Sequence, residues 1–235
     1  MEVRTFRVVL IVIVTLAMTT VATNALYPGA AQRALVGYGI PLPGWCTLQL
    51  DEDTVQVLNI DQAKDLLTRA VGGQASEQEF TALTTPSTFT CTTERNDLEE
   101  QQPNPSGLTP RAQELKTAVR ETFGEIINGG YDPQGITDGR VNRSAHYDGR
   151  AIDYFFRPYD EPAKKREGWL LTHWLVAHSK DLNVATLIYD DRIWSTRRSG
   201  QGWRGYVHPS GDRENPVLRH LDHVHVDVVR GRSVS

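Results

Sequence analysis

Cysteine is scarce in this chain: Cys46 and Cys91 are the only two. That count excludes a cysteine-rich metal site. A basic excess is missing as well. Twenty-five Lys and Arg stand against 29 Asp and Glu, for a formal net charge of -4. No Lys/Arg run is interleaved with aromatics, so the electrostatic footprint of a nucleic-acid binder is lacking. An apolar run of about 20 residues, the length that crosses a bilayer, is also absent. Internal repeats and long low-complexity tracts are not found. What remains is ordinary globular material, 39% hydrophobic and 23% charged over 235 residues. That suffices for one packed domain with a tail or a small second domain.

The N-terminus carries an address. Arg4 and Arg7 precede an apolar run from Val8 to about Val21, and small residues follow up to Thr23-Asn24-Ala25. Positive, apolar, small is the order of a secretory signal. Residues 1–25 are therefore expected to be a signal peptide or a signal anchor, with cleavage and membrane tethering both open. The protein is expected to be exported. An even cysteine count in an exported chain predicts a Cys46–Cys91 disulfide, with two separate thiols as the alternative.

Local patterns divide the rest. Residues 26–95 read as a small N-terminal region closed by the disulfide. Within it, 54–58 suggests a strand, 60–71 a helix ending at Gly72-Gly73, and the Thr-rich 81–93 a partial strand interrupted by Pro86. Residues 96–107, rich in Glu, Gln, Pro and Asn, read as a linker. Residues 108–235 read as the main domain. Thr109-Pro110 opens a helix with Leu115, Val119 and Phe123 on one stripe. Strands are expected over 151–156, 184–189 and 224–229, and a helix over 161–179. The fold class is α+β, a mainly antiparallel sheet packed with helices.

Two segments carry the chemistry: Ser144-Ala145-His146-Tyr147-Asp148-Gly149-Arg150-Ala151-Ile152-Asp153 and His220-Leu221-Asp222-His223-Val224-His225. Strand side chains alternate, so His223 and His225 share a face. Gly149 permits a tight turn that brings Asp153 back toward His146. Three protein ligands and an open fourth position make a catalytic zinc site, and His146, Asp153 and one histidine of the pair supply such a set. A base that is not itself a ligand is then required, and Asp222 and His223 are both candidates. His173, His178 and His208 are expected to be structural or exposed, and His220 to lie close to the motif. Trp194, Trp203 and Tyr206 suit either a groove wall or the core.

The pattern Ser144-x-His146-x-x-Gly149-x-Ala151-x-Asp153, followed by Asp222-His223-x-His225, resembles the VanY-like D-Ala-D-Ala carboxypeptidases of peptidoglycan. These share a fold with the hedgehog signalling domain. The resemblance covers about residues 108–229. It implies Zn2+ held by His146, Asp153 and His225, and Asp222 as general base. It also implies a peptidoglycan peptide as substrate and a location facing the cell wall. His223 matches the extra histidine of related endopeptidases. Arg140 or Arg143, with Ser144 beside them, would contact substrate. The function so implied is hydrolysis of a stem-peptide bond by a chain acting as a monomer. L-Ala–D-Glu endopeptidase action and a non-catalytic zinc- or wall-binding module are the alternatives.

Overall fold

The computed structural model describes residues 29–134 and 144–233. Residues 1–25, where a signal is expected, and Arg140 and Arg143 lie outside the described residues. Among those described, no helix is long and apolar enough to cross a membrane.

The chain enters through a short helix, α1 (Ala30–Gly37), and then forms β1 (Trp45–Gln49) and β2 (Val55–Asn59). Helix α2 (Ile60–Val71) begins at a capping box, in which Asn59 and Gln62 satisfy each other's backbone N–H groups. Its Ala63, Leu66, Leu67 and Ala70 are buried along one stripe, and the chain turns at Gly72. Helix α3 (Glu77–Leu83) has a second capping box, Ser76 with Glu79. Only after it does β3 (Phe89–Thr92) appear. The Thr-rich stretch is thus part helix and part strand. β1 lies between β2 and β3, antiparallel to both. Cys46 and Cys91 face each other across β1 and β3 and form the disulfide.

Helix α4 (Pro110–Phe123) starts on the Thr109 cap with Pro110 in its first turn. The remaining elements are β4 (Asn128–Gly129), a 3₁₀ turn (Ala145–Asp148), β5 (Ala151–Phe155), α5 (Pro162–Ala177), β6 (Val184–Tyr189), β7 (Arg192–Ser195), a second 3₁₀ segment (Thr196–Gln201), β8 (Arg204–Gly205) and β9 (His223–Val228). Six strands make one sheet in the order β4-β5-β9-β6-β7-β8, each pair antiparallel. The observed class is α+β with antiparallel sheets, helices and one disulfide.

One hydrophobic core serves both sheets. It takes in Leu48, Leu67 and Phe89 from the first region and Leu115, Trp169, Trp194 and Val226 from the second. Helix α5 runs through it, with every residue from Gly168 to Ala177 buried. A helix apolar on all sides is what a core position demands. Trp194 Nε1 donates to Thr90 Oγ1 at 3.2 Å, and Trp203 Nε1 donates to the Phe89 carbonyl at 2.8 Å. These indoles join the sheets. Residues 96–107 are packed as well. Glu99 bridges Arg232 in parallel, Arg111 donates to the carbonyls of Glu99, Val229 and Arg230, and Thr109 N–H donates to the Gly149 carbonyl at 2.8 Å.

Candidate metal centre

Register builds the site. β5 pairs with β9 so that Asp153 stands directly opposite His225 and Phe155 opposite His223. Directly opposed residues of an antiparallel pair project from the same face. The alternating Val224, Val226 and Val228 fill the other face and are buried. The expectation that His223 and His225 share a face follows from this strand, which begins one residue earlier than expected.

His146 arrives from a different direction. It sits in the 3₁₀ turn Ala145–Asp148, whose first N–H groups need an acceptor. Ser144 Oγ accepts from His146 N at 3.4 Å. Gly149 then adopts a left-handed conformation, φ 64°, and turns the chain into β5. A Cβ there would lie 2.4 Å from the Gly107 carbonyl oxygen. The Ser-x-His-x-x-Gly spacing is thus a cap, a candidate ligand and a turn.

The ring of His146 is fixed from behind. Its Nδ1 lies 2.7 Å from the Gly130 carbonyl oxygen. A carbonyl only accepts, so Nδ1 carries the proton and the Nε2 lone pair faces the centre. Gly130, at φ 83°, has no room for a side chain: a Cβ would lie 2.6 Å from the imidazole. No motif in the sequence marked Gly130.

Three donor atoms converge. His146 Nε2 is 3.1 Å from His225 Nδ1, His225 Nδ1 is 3.0 Å from Asp153 Oδ1, and His146 Nε2 is 3.4 Å from Asp153 Oδ1. His225 is buried and the other two are partly buried. Two imidazoles and one carboxylate so placed could hold a metal ion. On the far side of His225, Asp227 Oδ2 stands 3.9 Å from Nε2.

The electrostatics match that geometry. Burial works to raise the Asp153 pKa, but hydrogen bonds from His146 and His225 hold the carboxyl well below the usual range. Burial likewise opposes the charged form of His225. The carboxylates of Asp153 and Asp227 override it and lift that imidazole to about 9. The pocket therefore favours a positive charge at its centre.

A second layer stands beside these three residues. His223 Nε2 is 3.8 Å from Asp153 Oδ1, so this ring also faces the centre. Its Nδ1 is 2.8 Å from Asp222 Oδ1. The carboxyl of Asp222 is nearly buried; burial works to raise its pKa, but His223 and Arg157 together hold it low. An ionised carboxylate accepts, so Nδ1 of His223 is the protonated nitrogen and Nε2 is free to act as a base. Asp222 thus lies behind His223, just before β9 begins, with its second oxygen on Arg157. Arg157 was not singled out in the sequence.

His220 also lies here, its ring centroid 4.7 Å from that of His223 and 5.0 Å from that of Tyr206. Burial, then the neighbouring His225 and His223, push its pKa down to about 3, so it is neutral at pH 7. The other histidines are elsewhere. His173 is buried between the sheets, with Nδ1 2.8 Å from the Leu83 carbonyl oxygen. His178 stacks on Trp174, and His208 bonds Ser210 in a loop. Trp194 is core, and Tyr206 borders the site.

Residues 104–217 match the family model described as VldE, C-terminal domain. The match includes His146 and Asp153 and ends before Asp222, His223 and His225. No curated protein and no solved structure matches the chain.

Proposed function

We propose that this chain is a zinc-dependent peptidase that hydrolyses peptide bonds of peptidoglycan stem peptides, on a fold of the hedgehog/DD-peptidase type. The observation that carries the reading is the spacing of three donor atoms with a base left over. Tetrahedral zinc with bonds of roughly 2.0–2.1 Å sets its ligand atoms about 3.3–3.4 Å apart. The three separations here are 3.0, 3.1 and 3.4 Å. Three protein ligands leave a fourth position for water or a scissile carbonyl.

When bound, zinc supplies Lewis acidity, lowering the pKa of a water toward about 7 and polarising a carbonyl. The chain's own residues do the rest. His223 Nε2 accepts the proton from the attacking water and delivers it to the departing amine nitrogen. Asp222 keeps the His223 proton on Nδ1 and steadies the imidazolium while it exists. His220, held neutral, and Tyr206 wall the approach. Secretion accords with a disulfide, which persists in an oxidising compartment.

The scissile bond is either the terminal D-Ala-D-Ala bond or an internal one such as L-Ala–D-Glu. The placement of His223, rather than Asp222, toward the ligands favours the endopeptidase alternative, whose members carry His-x-His. Digestion of purified peptidoglycan with the zinc-loaded protein, read by mass spectrometry, separates the cases. Free D-Ala marks carboxypeptidase action, and cleaved L-Ala–D-Glu marks endopeptidase action. Intact peptides with one bound zinc would leave a wall-binding module and remove the peptidase reading.

A further inference from the structure

β5 and its continuation place Asp153, Phe155 and Arg157 at alternating positions; Asp153 stands opposite His225 and Phe155 opposite His223, and just past the paired strands the Arg157 side chain reaches that of Asp222. Each of these three contacts has a distinct content. Asp153 meets His225 at 3.0 Å. The Phe155 ring meets the His223 ring at a centroid distance of 5.7 Å. Arg157 Nε and Nη2 donate to Asp222 Oδ2 at 2.8 and 2.6 Å. The Arg157 guanidinium also lies 4.3 Å from the Phe155 ring centroid, and so is held from two sides.

Both arginine hydrogen bonds fall on one carboxylate oxygen. The other, Oδ1, is left for His223 Nδ1 at 2.8 Å. An exposed ion pair does little by itself. Here the carboxylate side chain is 6% exposed and the guanidinium side chain 58% exposed, so the arginine is the outer clamp on an inner group. Without that clamp the carboxylate can turn about its own bond and release the imidazole. A released His223 ring has no fixed tautomer and no fixed direction for Nε2.

We propose that Arg157 is a positioning residue: through Asp222 it fixes the tautomer and orientation of His223. The proposal rests on His223 being the base in the peptidase reading. It predicts that Arg157 touches neither substrate nor metal. Removing it should therefore lower kcat and leave KM and zinc content alone. Partners that orient groups at metal sites typically contribute about 10–100-fold.

The test uses Arg157→Met, Arg157→Lys, Asp222→Ala and the Arg157→Met/Asp222→Ala double variant in the full zinc-loaded chain. Arg157→Met should lower kcat about 10–100-fold with KM within about twofold, and Arg157→Lys should recover most of the loss. The double variant should be no slower than Asp222→Ala, because the arginine acts through the carboxylate. A rise in KM with kcat intact would overturn the proposal and assign Arg157 to substrate. A full, independent loss in the Asp222→Ala background would overturn it as well. Ring ¹⁵N chemical shifts of His223 provide a readout that needs no turnover. The native protein should show the Nδ1–H tautomer, and Arg157→Met a mixture. If the native chain cleaves no peptide, the peptidase reading fails while these shifts still decide the role of Arg157. An unchanged single tautomer in Arg157→Met would end the proposal.

Discussion

The three-stranded sheet and the six-stranded sheet share one core yet handle polar groups in opposite ways. In the first, Leu48, Phe89 and both cysteines are buried, and among the described residues no group of His, Cys, Asp and Glu that could hold a metal ion gathers there. In the second, Asp222, His223 and His225 are each under 9% exposed. Burying an ionisable group is costly unless it is paired. Every one of these has a partner within 3.1 Å, so the burden is met by a linked set of donors and acceptors. One region is built for packing. The other holds charge at a chosen point.

Substitutions should separate these two modes. The largest effect is expected at a ligand: His225→Ala should reduce bound zinc from about one equivalent to little or none, read by metal analysis, and abolish peptide cleavage. Retained zinc would remove His225 from the set. Next comes the proposed base. His223→Gln should keep the metal and lower kcat by about 10²–10⁴-fold, the usual contribution of general acid–base catalysis. Asp222→Asn should lose less, about 10–100-fold, because it acts through the imidazole. The reverse order would make Asp222 the base, as the resemblance to the carboxypeptidases implies.

Gly130→Ala tests the backing of the His146 ring by a glycine that no motif marked. Its methyl must displace His146, so zinc affinity should fall about 10–100-fold in a competitive chelator titration while the circular dichroism spectrum is kept. An unaltered affinity would show that the His146 ring has room to move. The first region should respond differently. Joint Cys46→Ser and Cys91→Ser replacement should cost roughly 3–4 kcal/mol of stability by denaturant titration, the chain-entropy value for such a loop. Zinc affinity of the folded fraction should stay as it was; a parallel loss would mean the sheets communicate more tightly than a shared core requires.

The smallest effect concerns the seam between them. Burial, partly countered by the bond to Leu83, lowers the His173 pKa to about 4, against 6.5 for an ordinary histidine. The folded-state pKa is depressed, so the unfolded chain takes up this proton first. The contribution of neutral His173 is complete above about pH 6.5 and is lost as pH falls toward about 4. The loss is on the order of 3 kcal/mol at most. His173→Phe should flatten that part of the stability–pH curve. An unchanged slope would place the acid sensitivity elsewhere.

Much of this was legible in the sequence because short-range rules govern it. The helix at 60–71 announced itself by its stripe, and the helix at 110 by Thr109-Pro110. His223 and His225 were readable as a pair since strand alternation needs no knowledge of the partner strand. Other features depend on contacts the chain makes far away. The Thr-rich stretch 81–93 suggested a partial strand, which β3 supplies at Phe89–Thr92, but the Ser76–Glu79 capping box, an available signal, begins a helix that runs into it as far as Leu83. β1 was missed since Trp45-Cys46-Thr47-Leu48-Gln49 is short and its polar positions are only half-buried. Arg157 and Gly130 were invisible for a deeper reason: each matters only through a residue at least 16 positions away.

The strand order has a further consequence for how the molecule comes into being. β9 follows every other strand of its sheet, yet it is inserted between β5 and β6. Until it enters, β5 and β6 present unpaired edges to one another across a gap, and such edges invite association with other chains. Its arrival satisfies both edges at once and delivers His223 and His225 in the same motion. Closing contacts over some 70 residues is slow compared with local helix formation. A nascent or truncated chain ending before His223 should therefore lack the His225 corner of the candidate centre and be aggregation-prone.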